Sequence, residues 1–206
     1  MSPSHRHRAR PRVRTAIEFD GGNRAVARSS EAGKNRRMRV DPLGTAAEAD
    51  LLAQYLEFLR ETVIMKTEGL DQAQMSLSHP PSKLSLGGIL NHLTLVEDFW
   101  SEVRFQGLPE REPWASVDWT ADPDWEFRTA SELTPDVLRD RYRRAGDRTR
   151  EAARRADSLD QLSVTPLAAG ERFTLRWMLL HLIEETARHA GHADLIRVSI
   201  DGTVGE

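Results

Sequence analysis

"TLRWMLLHLIEETARHAGHADLIRV", residues 174–198, carries the clearest structural pattern in the chain. Its apolar residues return every three or four positions, Thr174 stands as an N-cap, and Gly202 lies beyond its end. That pattern predicts a helix over 174–198. At about 100° per residue, His181, Glu185, His189 and His192 fall at about 0°, 40°, 80° and 20° around it. Leu175, Leu179, Leu182, Ile183, Ala190 and Ala193 occupy the adjoining sector, at about 100–200°. The polar stripe therefore borders the apolar face, whereas a purely solvated stripe usually sits opposite the core.

Three more segments carry the same period. A helix is predicted over 45–67, where Thr45 and Glu48 have capping-box spacing and Leu51, Leu52, Tyr55, Leu56, Leu59 and Val63 form a stripe. Gly69 follows as a stop. A second is predicted over 85–106, closed by Gly107, and a third over 135–156, with Thr134 as N-cap and Pro135 at the first helical position. The third is strongly charged and so should show much of itself to water. Pro80 and Pro81 in "SHPPSK" mark a loop. Residues 108–133 carry Trp114, Trp119, Trp125 and three prolines. A loop of that length is uncommon unless it packs over something or serves a site. Strand-like alternation is scarce, so the expected class is all-α, a four-helix bundle over about 45–203 with a long Trp-containing loop.

Composition narrows the chemistry. The chain has 206 residues, 39% of them hydrophobic, enough for one domain with a core. It has no cysteine, which excludes disulfides, thiolate metal sites and a cysteine nucleophile. Histidine and carboxylate remain as the strong metal ligands, and any thiol chemistry must borrow its thiol. No apolar run approaches the roughly 20 residues that span a bilayer, and the arginine-rich N-terminus lacks the apolar stretch of a secretory signal. The expected setting is cytoplasmic.

Charge is unevenly placed. Residues 1–40 hold eleven Lys/Arg against three Asp/Glu, a net of +8, so the rest carries −11 within the whole-chain −3. Those forty residues lack periodicity and read as a basic, disordered extension. Two readings stand: an arm for nucleic acid or anionic lipid, or an appended segment preceding a true start at Met38. Phe19 is the single aromatic residue among the arginines, too few for base stacking, so nucleic acid is not the expected partner.

A second element bears on the candidate site. His92 lies in an apolar stripe of Leu86, Ile89, Leu93, Val96, Trp100 and Val103. A buried histidine needs partners for its ring nitrogens, because an unpaired buried polar group costs about 1–3 kcal/mol. An ordinary hydrogen bond meets that need, and so does a metal shared with the Glu/His stripe of the last helix. Three protein ligands with an open fourth position describe a catalytic metal site. Glu and His at i, i+4 also form ordinary surface pairs, so residue pattern alone leaves the ligand set open.

"LGGILNHLTLVEDFW", followed about ninety residues later by "LRWMLLHLIEETARHAGHADLIR", resembles the DinB/YfiT-like superfamily of metal-binding four-helix bundles. More closely, it resembles a branch related to mycothiol-dependent maleylpyruvate isomerase. The resemblance implies a divalent metal, zinc first and nickel or iron as alternatives, on His92, Glu185 and His189. It implies supporting or pocket-lining places for His181 and His192. It further implies a metal-dependent enzyme whose nucleophile is mycothiol or a similar low-molecular-weight thiol, of S-transferase or isomerase type. Two alternatives stay open: a metal-dependent hydrolase, and a non-catalytic, stress-associated metal-binding bundle. The expected partners are a small-molecule thiol and electrophile, with no membrane, and a homodimer is compatible with the fold. Arg188 borders the stripe and reads as a surface arginine. Trp100 and Trp177 read as core residues that also have the position to wall a pocket.

Overall fold

The computed structural model describes residues 39–204. The expectations for the basic extension, apart from Arg39 and Val40, lie outside the described residues. Helix α1 spans Glu48–Met65, a short α2 Gln72–Met75, α3 Leu86–Asp98, a short α4 Trp125–Thr129, α5 Pro135–Arg155 and α6 Leu175–Asp201. Among the described residues the regular structure is helical, apart from an isolated antiparallel bridge between Leu162 and Thr174. No helix among them is long and apolar enough to cross a membrane. The all-α class and the four long helices therefore agree with the sequence reading.

Helix ends follow local chemistry at most positions. Ser85, Thr134 and Thr174 accept from the amides of Gly88, Val137 and Trp177, which satisfies one orphan N–H at each start. Gly69, Gly107 and Gly202 take the positive φ that ends a helix without Cβ strain. The capping box expected at Thr45 does not form. Ala47 is the N-cap, without a side-chain bond, and Glu48 turns away to the guanidinium of Arg176 on α6, 2.6 Å from its Nε. A charge-assisted bond to another helix thus outcompetes the local one. Tyr55, expected on the buried stripe, is exposed, while Leu56 and Val63 are buried.

The predicted helix over 85–106 is real but not uniform. After α3 the chain widens into a π-helical stretch, Phe99–Phe105. The segment expected to be a long loop contains 3₁₀ turns at Trp114–Ser116 and Ala130–Glu132, with α4 between them. It folds around its tryptophans. Trp114 is buried with its ring edge-on to Trp125, 5.9 Å between centroids, and donates to Asp98 Oδ2 at 3.0 Å. The loop does pack over something: it lies on α3.

In the bundle α6 packs against α1 and α3, and α3 packs against α5. Two apolar clusters form the core. One gathers Val63, Ile89, Leu93, Tyr142, Ala193 and neighbours; the other gathers Leu56, Phe105, Met178, Leu182 and neighbours. A buried polar group crosses the bundle as well: Arg60 of α1 donates through Nε and Nη2 to Glu97 of α3 at 2.6 and 2.7 Å. Thr149 of α5 donates to Glu97 Oε2 at 2.5 Å. Gly146 makes room for this pair, since a Cβ there would stand 3.2–3.3 Å from the Arg60 guanidinium.

Candidate metal centre

α6 delivers its polar stripe along the edge of the core, as its period requires. His189, at the inner edge of the arc, is buried, while His181, Glu185 and His192 are partly exposed. α3 faces this stripe and brings His92 to it, with ring centroids of His92 and His189 4.9 Å apart. One ligand atom from each of His92, Glu185 and His189 lies within 4.8 Å of the others. Two ligands each about 2.1 Å from one tetrahedral ion stand about 3.4 Å apart, so small side-chain movements close the set.

Each member is held in place by its neighbours. His92 is fixed from two sides of α4: its Nδ1 meets Glu126 Oε1 at 3.0 Å, and Phe127 stacks on its ring at 4.8 Å and 18°. With Nδ1 donating to the carboxylate, Nε2 is left as the lone-pair nitrogen toward the cluster. α3 grips α4 again one residue earlier, where Asn91 Nδ2 donates to the Glu126 carbonyl at 2.7 Å. Gly88 allows the close approach, because a Cβ there would stand 3.2 Å from Phe127 Cδ1.

Glu185 divides its two oxygens. Oε1 accepts from Arg188 Nη1 at 2.9 Å, and Oε2 faces His189 Nε2 at 3.8 Å, beyond hydrogen-bond reach. Arg188, which also pairs with Glu184, is thus a support for Glu185 instead of a solitary surface charge.

His189 carries the most telling chemistry. Its Nδ1 is buried with no hydrogen-bond partner among the described residues. Burial, and then the neighbouring His92, His192 and Arg188, push its pKa down to about 4. The ring therefore stays neutral at pH 7, the state in which imidazole binds a metal. His189 thus presents Nε2 to the Glu185 carboxylate without a hydrogen bond, in the neutral form that can donate a lone pair to a metal.

A second, overlapping group of His181, Glu184 and Glu185 also brings ligand atoms within 4.8 Å. All three sit on one helix, and both carboxylates already pair with Arg188. His181 is instead sandwiched by aromatics: Trp177 stacks on it at 5.1 Å and 11°, and Trp100 meets it edge-on at 4.5 Å. It lines the approach one turn from Glu185, with Trp177 40% exposed beyond it. His192 packs edge-on against His189 at 5.2 Å and has a buried Nδ1 with no partner among the described residues.

Sequence reasoning missed Glu126 and Phe127. They lie in the segment read as a loop, and no periodicity ties them to His92, 34 residues earlier. The only available signal was that a long loop needs something to pack on.

The chain is thus a helical bundle that gathers a His/Glu/His cluster between two of its helices. A family model described as mycothiol-S-transferase matches residues 51–202. The chain belongs to that DinB-like family. No curated protein matches it. Among solved structures it is similar to a conserved protein from Enterococcus faecalis, with a TM-score of 0.58 and 15% identity. That match covers 77% of this chain and 100% of the other, and it bears on the fold alone.

Proposed function

We propose that this protein is a divalent-metal-dependent transferase that joins a low-molecular-weight thiol, mycothiol, to a small electrophile. The observation that carries the reading is the convergence of His92, Glu185 and His189 from two helices in a chain with no cysteine of its own. His92 Nε2, His189 Nε2 and one Glu185 oxygen would hold the ion, leaving one position open. A bound ion supplies Lewis acidity, which favours the thiolate form of an incoming thiol.

The chain's own residues do the rest. Glu126 holds the Nδ1 proton of His92 and so keeps the ring in one tautomer and one orientation. Arg188 holds Glu185 Oε1 and leaves the other oxygen toward the cluster. Burial keeps His189 neutral. Trp177, Trp100 and His181 offer an aromatic wall beside the centre for the apolar part of a substrate. Two nitrogens and one carboxylate oxygen suit zinc, with nickel or iron served by the same donors. A reduced thiol pool belongs to a cytoplasmic setting.

The test is metal stoichiometry of wild type, His92→Ala and Glu185→Ala, followed by electrophile loss with and without thiol. One ion per chain, lost in both variants, together with thiol-dependent turnover, is the expected result. Unchanged metal content in His92→Ala removes the site. Turnover that needs no thiol replaces the transferase with a hydrolase.

A further inference from the structure

A cleft of about 200 Å³ opens between α3, α5 and the turn that follows the π-helical stretch. Four arginines line it, Arg111, Arg141, Arg144 and Arg148, against two lining carboxylates, Asp98 and Glu112, while Glu102 and Asp140 pair with Arg111 and Arg144 from outside the wall. It is distinct from the metal centre. Asp98 lies six residues past His92 on α3, about 240° further round the helix, and α5 contributes nothing to the His/Glu/His cluster.

The wall is built in layers. Asp98, 3% exposed, accepts from Trp114 Nε1 at 3.0 Å and from Arg148 Nε and Nη2 at 2.9 and 2.5 Å. Arg111 is clamped bidentately on Glu102 at 2.6 and 2.8 Å. These bonds set two guanidinium groups in place. Among the described residues Arg144 pairs only with the exposed Asp140, at 2.6 Å. Arg141 has no hydrogen-bond or ion-pair partner among the described residues. Like charges three and four apart on one helix face cost a few tenths of a kcal/mol each. Here Arg141, Arg144 and Arg148 share one face of α5, turned to a cleft. Guanidinium forks match carboxylate and phosphate oxygens in pairs, and a recessed site strengthens that attraction.

We propose that this cleft is a second ligand site, which takes a small oxyanion, a carboxylate or a phosphate, on Arg141 and Arg144 with Arg148 and Arg111 behind them. The proposal does not depend on the metal chemistry. Bound there, the anion lies against Trp114, whose ring meets Trp125, the residue next to Glu126.

The test uses the metal-loaded full chain, titrated at low salt with inorganic phosphate and, separately, with malonate. Binding is followed by calorimetry and by the indole N–H resonance of Trp114, assigned by its loss in Trp114→Phe. One of the two anions should bind and shift that resonance. Affinity should fall at least about tenfold in Arg141→Ala and again in Arg141→Ala/Arg144→Ala, with unchanged Tm. His92→Ala should bind as wild type does. Whichever anion binds identifies the carboxylate or phosphate source. Binding that survives both arginine substitutions, or that disappears in His92→Ala, overturns the proposal. So does the absence of any shift up to about 10 mM of either anion, a concentration beyond millimolar affinity.

Discussion

Replacing Glu126 with glutamine separates holding His92, a proposed metal ligand, from holding the fold. Glu126 is 5% exposed and its Oε1 lies 3.0 Å from His92 Nδ1, while Oε2 is buried without a partner. Glutamine keeps the shape and can still accept the His92 proton, but it removes the negative charge that makes the imidazole a better donor. Loss of such an outer partner typically weakens metal binding 10- to 100-fold, about 1.4–2.7 kcal/mol. Glu126→Gln should sit near the lower end. Glu126→Ala, which leaves Nδ1 of His92 unpaired and frees the ring to turn, should sit near the upper end. The metal-free protein should respond differently. Removing a buried carboxylate whose second oxygen has no partner among the described residues takes away a desolvation cost, so the unfolding free energy of metal-free Glu126→Gln should stay within about 1 kcal/mol of wild type. Zinc affinity by chelator competition, set beside the Tm of the stripped protein, reads both. Equal zinc affinity in all three proteins would refute the claim that Glu126 orients His92. A Tm loss in Glu126→Gln large enough to account for the affinity change would make it a structural residue instead.

Three further outcomes follow from the same geometry. His189 has a folded pKa of about 4 against an unfolded value near 6.5, so the unfolded chain takes up its proton first as pH falls. The metal-free protein should therefore lose stability from about pH 6.5 down through 4, by at most about 3 kcal/mol from this group, with no effect above. Urea denaturation of His189→Gln should lack that part of the slope, and an identical slope would contradict the assignment. Arg60→Ala strands Glu97 in the core and should cost about 3–5 kcal/mol in urea denaturation; a loss under about 1 kcal/mol would mean water reaches the pair. Gly88→Ala gains helix propensity but drives a Cβ to 3.2 Å from Phe127, so overpacking of about 1–3 kcal/mol should win and zinc affinity should fall as the ring leaves His92. A raised Tm with unchanged affinity would show that Phe127 yields freely.

Much of this was legible in one dimension because helical periodicity is a local property. The 3.6-residue repeat placed His181, Glu185, His189 and His192 in one arc beside the apolar face, and α6 carries them there. His92 stood in an apolar stripe and so had to face inward. Caps at Thr134 and Thr174 and the stop at Gly202 are likewise local, and they formed. The Thr45 cap failed for a nonlocal reason: Glu48 had a better partner in Arg176, 128 residues away.

Local patterns along the chain thus specified the four long helices, the inward or edge position of each candidate ligand, and the lack of a cysteine thiolate. Which of them meet depends on how the helices pack. That packing set His92 against His189 rather than His181, because α3 crosses α6 at that level, and it gave His181 to the tryptophans. It also brought Glu126 and Phe127 to His92, and four arginines to one cleft. Contacts between segments tens of residues apart follow from how helices pack and leave no period in the chain to read.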